Sequence, residues 1–177
     1  MTIHIFAVEL LINKKDKIAK TNALRQLDKQ KIPYIIHTYE WSEDKSGGLG
    51  VAERFPELAE RVFKTIVLKG KSKNLYVCVI HGAAHLDLKK VAKACGEKNI
   101  DLLPLSELEK ETGYIRGGCS PVGMKKLYRT FFDKEVEKFE KIMVSAGRRG
   151  LQMEVETEKL VEIVNGTVVD LLMEEIK

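Results

Sequence analysis

A chain of 177 residues with 44% apolar and 32% charged residues can bury a substantial core in one domain and is too apolar to be disordered. Thirty basic against 26 acidic residues leave a net charge of +4, which permits a polyanionic partner without requiring one. Cys78, Cys95 and Cys119 are an odd number without C-x-x-C spacing, so neither a disulfide framework nor a structural zinc site is predicted, and a reducing cytoplasm fits.

The opening residues 1–12 are apolar but interrupted by Glu9. They lack a basic leader and a small-residue cleavage site, and are too short to span a bilayer. An extra strand, a misassigned start and an expression scar all stay open. Asn22 is read as the N-cap of a helix reaching Gln30, with Ala23, Leu24 and Leu27 on one face and Pro33 preventing continuation. A strand over 34–39 follows. Residues 42–50 are polar and glycine-rich and read as a mobile loop able to act as a lid, before a short helix over 51–55 that Pro56 ends.

The β-rich runs 62–69 and 75–81, separated by Gly70-Lys71-Ser72-Lys73-Asn74, predict a hairpin. Asp87 then caps a helix carrying Leu88, Val91, Ala92 and Cys95, with Gly96 at its C-terminal turn. Ser106 and Glu109 make a capping box for another short helix. Strands are expected over 127–132, 141–145 and 151–155. A helix over 158–164, capped by Thr157 and closed by Gly166, precedes a last strand over 167–172. Connections that are partly hairpin loops and partly helices predict a mixed sheet.

The segment from Thr112 to Gly123 packs four glycines and a proline into twelve residues, which lets backbone N–H groups approach a ligand or simply makes tight turns. It is not a phosphate loop of the G-x-x-x-x-G-K-[ST] type. Met124 stands where the lysine should be, and Pro121 removes an N–H. Strand alternation puts Lys64 on the face of Val62, Ile66 and Leu68, where an ammonium either snorkels to water or supplies a fixed charge to a carboxylate, phosphate or polarised carbonyl.

Ser145 ends an apolar strand just before Gly147-Arg148-Arg149-Gly150, so it is either a turn residue or a hydroxyl at the sheet rim. His81 and His85 have i, i+4 spacing, but Gly82 and the helix start at Asp87 argue against metal ligation. Ser120 lies in no G-x-S-x-G elbow, and Cys119 has no activating base nearby in sequence and reads as a small filler.

Several segments together resemble the YbaK/EbsC family: Lys20-Thr21-Asn22-Ala23, His37-Thr38-Tyr39-Glu40, Phe63-Lys64-Thr65 and Leu86-Asp87-Leu88-Lys89-Lys90-Val91-Ala92, then the glycine loop and Ser145-Ala146-Gly147-Arg148-Arg149-Gly150-Leu151. Members are Cys-tRNA(Pro) deacylases, relatives of the editing domain inserted in bacterial prolyl-tRNA synthetases. The resemblance implies one α/β domain over 18–177, with a barrel-like mixed sheet flanked by helices, and leaves 1–17 as an extension of unknown role. It implies cytoplasmic trans-editing of Cys-tRNA(Pro), with prolyl-tRNA synthetase as a partner and with no cofactor, metal or membrane. The substrate's own thiol would attack its carbonyl. Deacylation of tRNA mischarged with alanine or serine, and a non-catalytic tRNA-binding relative, are the alternatives.

Carried over by motif, Lys64, Gly118 and Ser145 are the catalytic expectations. Tyr39, Gly117, Ser120, Arg148 and Gln152 are the substrate-binding ones. At Gln152 the family's best-known members have aspartate, so this chain keeps hydrogen bonding there and loses a negative charge.

Overall fold

A computed structural model describes residues 19–175; the apolar opening and the 1–17 extension lie outside the described residues. Helix α1 (Asn22–Lys29) is capped one residue earlier than expected, by Thr21, whose hydroxyl oxygen accepts from the Leu24 N–H. The same hydroxyl donates to the Ala146 carbonyl at 2.5 Å, a tertiary bond that selects Thr21 over Asn22. Strand β1 (Tyr34–Thr38) follows.

The second half of the expected mobile loop is instead helical, because α2 (Gly47–Arg54) begins at Gly47, while 42–46 stays irregular. The glycines here serve close packing. A Cβ on Gly48 would lie 2.4 Å from the Gly82 Cα, and one on Gly50 would lie 1.8 Å from the Lys45 carbonyl oxygen. The Arg54 guanidinium donates to the carbonyls of Glu40 and Gly50 and to the Ser42 hydroxyl, tying the segment down.

A 3-10 turn (Pro56–Arg61) leads into β2 (Phe63–Gly70), which forms the predicted hairpin with β3 (Leu75–His81). Helix α3 (Leu88–Cys95) is capped by Asp87 and ends at Gly96 in the left-handed region, both as read. The short β4 (Ile100–Leu102), which local pattern did not reveal, pairs with β2. Helix α4 (Leu105–Thr112) already includes Ser106, with Pro104 at the N-cap, so the expected capping box does not form.

Beyond the glycine loop lie β5 (Arg129–Asp133), a 3-10 turn (Lys134–Lys138), β6 (Lys141–Arg148) and β7 (Leu151–Glu156). Helix α5 (Thr157–Ile163) starts at Thr157, whose hydroxyl is not a cap but donates to the Phe139 carbonyl at 2.6 Å. The last strand, β8 (Thr167–Val169), is shorter than read.

The strands make two sheets, β1-β7-β6 and β4-β2-β3-β5-β8, and the second mixes antiparallel with parallel pairs. A parallel bridge between Val62 and Met143 joins them at the start of β2. Among the described residues no ladder closes the opposite side, so the sheet is barrel-like but open.

The two largest apolar clusters follow from strand alternation. Ala23, Leu24 and Leu27 of α1 and Leu160 of α5 meet Phe132, Ile142, Val144, Met153 and Val155. Val91, Ala92 and Cys95 of α3 cover Leu68, Cys78, Ile80 and Phe131. The neighbours Phe131 and Phe132 thus serve opposite faces of β5. Burying each large side chain contributes ~1.5–3 kcal/mol.

Candidate active site

The start of β2, where the two sheets meet, is also where a pocket of about 90 Å³ opens. Val62, Phe63, Lys64 and Thr65 line it, together with Ser145 and Gln152 from the other sheet and Tyr39 just beyond β1. Gly47, Gly48 and Val51 of α2 form one wall, and Gly117 and Cys119 of the glycine loop another. Because the site lies at a strand end, β2 residues of both alternation parities reach it.

Lys64 enters the pocket half-buried, and burial alone lowers its pKa below the ordinary lysine value. An ammonium with no carboxylate partner among the described residues, partly buried in the pocket, is suited to hold an anion or a developing negative charge. Tyr39 is set by an edge-to-face contact with Phe55, ring centroids 6.1 Å apart, and by the Arg54 guanidinium 5.3 Å from its ring centroid.

Ser145 stands at a β-bulge in which Gly147 has φ +97°, and its hydroxyl oxygen accepts from the Gly147 N–H at 3.2 Å. The hydroxyl proton remains available to a ligand. Gln152 is 4% exposed and opposes both Ser145 and His37 in the ladders. Two residues further along β7, on the same face, Glu154 accepts from Arg61 at 2.8 Å and lies 3.0 Å from the His37 ring. This pairing satisfies the nearly buried carboxylate beside the pocket.

Of the eight expected site residues, Lys64, Ser145, Tyr39, Gly117 and Gln152 converge on the pocket. The other three do not line it. The Gly118 N–H donates to the Ile115 carbonyl at 2.9 Å, so it is engaged in the loop's own turn. Gly118 supports the site indirectly, since a Cβ there would lie 2.9 Å from the Arg149 nitrogen. Ser120 is fully buried and its hydroxyl accepts from the Val122 N–H at 3.3 Å, a turn within the loop. Arg148 is exposed at the rim. Burial raises the Cys119 thiol to about 12, which keeps it neutral and fits its role as a filler beside Val67 and Leu103.

Two residues were missed as functional candidates. Among the described residues, the buried side-chain polar atoms without a hydrogen-bond partner are Thr65 Oγ1 and Trp41 Nε1. Thr65 lines the pocket, and the Trp41 indole nitrogen would lie 2.7 Å from a Cβ on Gly117. A polar group buried without a protein partner is rare, and in a pocket lining it is positioned to bind water or a ligand. The only sequence signal was the adjacency of Thr65 to Lys64.

The family pattern of the aminoacyl-tRNA editing domain matches residues 50–163. The chain belongs to this family. The matched span of this editing domain contains Lys64, Thr65, the glycine loop, Ser145 and Gln152, while Tyr39 and Trp41 precede it. A protein of Enterococcus faecalis (strain ATCC 700802 / V583), EbsC, provisionally named a Cys-tRNA(Pro)/Cys-tRNA(Cys) deacylase, is 43% identical over 162 residues, 92% of this chain and 99% of that protein.

Among solved structures, hypothetical protein APE2540 superposes with a TM-score of 0.78 at 18% identity, covering 86% of this chain and all of that one. A protein provisionally described as a trans-editing enzyme for prolyl tRNA synthetase superposes with a TM-score of 0.73 at 18% identity, over 89% of this chain and all of that one. At those identities the two structures speak for the fold. Among the described residues no helix is long and apolar enough to cross a membrane, and no group of three or more His, Cys, Asp or Glu side chains is placed to hold a metal ion.

Proposed function

We propose that this protein is a trans-editing deacylase that hydrolyses the ester of cysteine mischarged on proline tRNA. The observation that carries this reading is the convergence of Tyr39, Lys64, Ser145, Gln152 and Gly117 from separate elements on one small pocket, in an editing-domain chain 43% identical to EbsC. An aminoacyl ester is already activated. A site that orients it and stabilises the developing oxyanion therefore needs no enzyme nucleophile.

In the proposed pose the backbone of Gly117 and Cys119 faces the aminoacyl carbonyl, and the Ser145 hydroxyl donates to it. Lys64 engages the 3′-terminal nucleotide, Tyr39 packs on the aminoacyl group, and the Gln152 amide accepts from the α-ammonium. The substrate's thiol sulfur bonds to its own carbonyl carbon as the ester C–O bond breaks. The thiol proton passes to the departing ribose oxygen, and water then opens the thiolactone to free cysteine. Prolyl-tRNA synthetase supplies tRNA selectivity as a partner, in the cytoplasm.

The test is a deacylation panel of tRNA(Pro) charged with cysteine, alanine, serine or proline. Cys-tRNA(Pro) is expected to be cleaved fastest. Ser-tRNA(Pro) cleaved equally fast would replace thiol attack by water attack, preference for alanine or serine would reassign the substrate, and no turnover at all would leave a tRNA-binding relative. A folded Lys64→Ala variant is expected to lose ~100-fold in rate, comparable to removing one oxyanion-hole donor.

A further inference from the structure

The hairpin of β6 and β7 carries opposite charge at its two ends. At the far end, Glu137, Glu140, Glu156, Glu158 and Glu162 line an acidic groove. The turn end, at Arg148 and Arg149, lies at the other end of the eight-residue β6, ~23 Å away at 3.2–3.4 Å per residue, and abuts the glycine loop. Arg116 of that loop is exposed beside them.

Arg149 differs from an ordinary surface arginine. Its guanidinium carbon sits 3.9 Å from the centroid of the Trp41 ring, and its Nε donates to the Arg116 carbonyl at 2.9 Å. Those two restraints orient the planar fork while leaving its terminal nitrogens free, since the side chain is exposed and joins no ion pair among the described residues. A preset guanidinium with both outer nitrogens unused is the donor geometry that matches a phosphate. The Trp41 N–H points to the same rim, buried beside Gly117 with no protein partner among the described residues.

We infer that Arg149, held by Trp41, is a phosphate-binding residue at the pocket mouth and grips the backbone of the tRNA 3′ strand. This rests on the aminoacyl-tRNA reading above: an ester lodged against Gly117 is attached to a ribose whose own phosphate emerges one sugar ring away, where Arg149 stands. Arg116 and Arg148 flank that path, and the acidic groove at the other end of the hairpin repels a strand laid the opposite way.

The experiment is salt-dependent binding of a fluorescein-labelled RNA minihelix with an uncharged single-stranded CCA end, read by anisotropy. Arg149→Ala is expected to weaken binding about tenfold and to lower the slope of log affinity against log salt by ~0.7, the loss of one phosphate contact on a single strand. Arg149→Lys, which keeps the charge without the fork, is expected to fall between. Lys71→Ala, at the distant β2–β3 turn, should bind as the parent does. Parental affinity and slope in Arg149→Ala would overturn the inference, as would failure of the parent to bind the minihelix. Because no ester is cleaved, the outcome is separate from the deacylase reading. Binding through Arg149 without turnover would sink that reading alone, whereas full turnover with parental binding in Arg149→Ala would sink this one alone.

Discussion

At Thr65 a role in function can be separated experimentally from a role in stability. Its hydroxyl faces the pocket and meets no protein hydrogen-bond partner among the described residues, so a ligand there can engage it. Thr65→Val keeps the shape and removes the hydroxyl, which is expected to leave the melting temperature unchanged or raise it. The same change should lower kcat/KM for deacylation about 5–30-fold, the equivalent of ~1–2 kcal/mol for one lost hydrogen bond to substrate. Thermal melts beside single-turnover deacylation separate the two effects, and undiminished kcat/KM would show that the hydroxyl does not face substrate. Lys64 was legible beforehand because a lysine on an apolar strand face is an anomaly in the pattern. Thr65 was not, since threonine is ordinary in any strand.

At the scale of elements, α2 is the instructive departure. Gly47, Gly48 and Gly50 within a polar stretch read as flexibility, yet Gly48 packs against Gly82 and Gly50 against the Lys45 carbonyl. Close approach and flexibility leave the same trace in a sequence, and only the partner backbone tells them apart. Gly48→Ala would force its Cβ to 2.4 Å from the Gly82 Cα, where backbone cannot yield cheaply. The α2 wall should shift, with kcat/KM falling at least tenfold and hydrogen exchange quickening across Gly47–Arg54. Unchanged exchange in that helix would contradict this account. By contrast, the β2–β3 hairpin and the Asp87-capped helix were readable because their signals, turn residues and a cap followed by an apolar face, act within a few residues. The box at Ser106 and Glu109 failed because helix α4 starts one residue before Ser106, placing that side chain inside the helix.

Over the whole molecule, the two largest apolar clusters meet across β5, where Phe131 faces one and Phe132 the other. Residues 19–175 should therefore unfold together. Trp41, the sole tryptophan, sits just beyond β1 of the three-stranded sheet and reports one side of the molecule, while far-UV circular dichroism reports both. The two urea transitions are expected to coincide. Phe132→Ala, at 0% exposure, should shift both by the same ~3–5 kcal/mol, and separate midpoints would reveal two units. The amino-acid sequence by itself determined most of the strands, the mixed α/β character and, through motif resemblance, Lys64, Tyr39, Ser145, Gly117 and Gln152 as one constellation, because those signals are local or carried by motif. Only the tertiary structure decided that the pocket opens where the two sheets join with Thr65 in its lining, that Gly118 and Ser120 serve the loop's own turns, and that Arg149 stacks on Trp41 beside Gly117. Each of those facts depends on which groups a residue meets across long stretches of chain, and local pattern carries no record of such meetings.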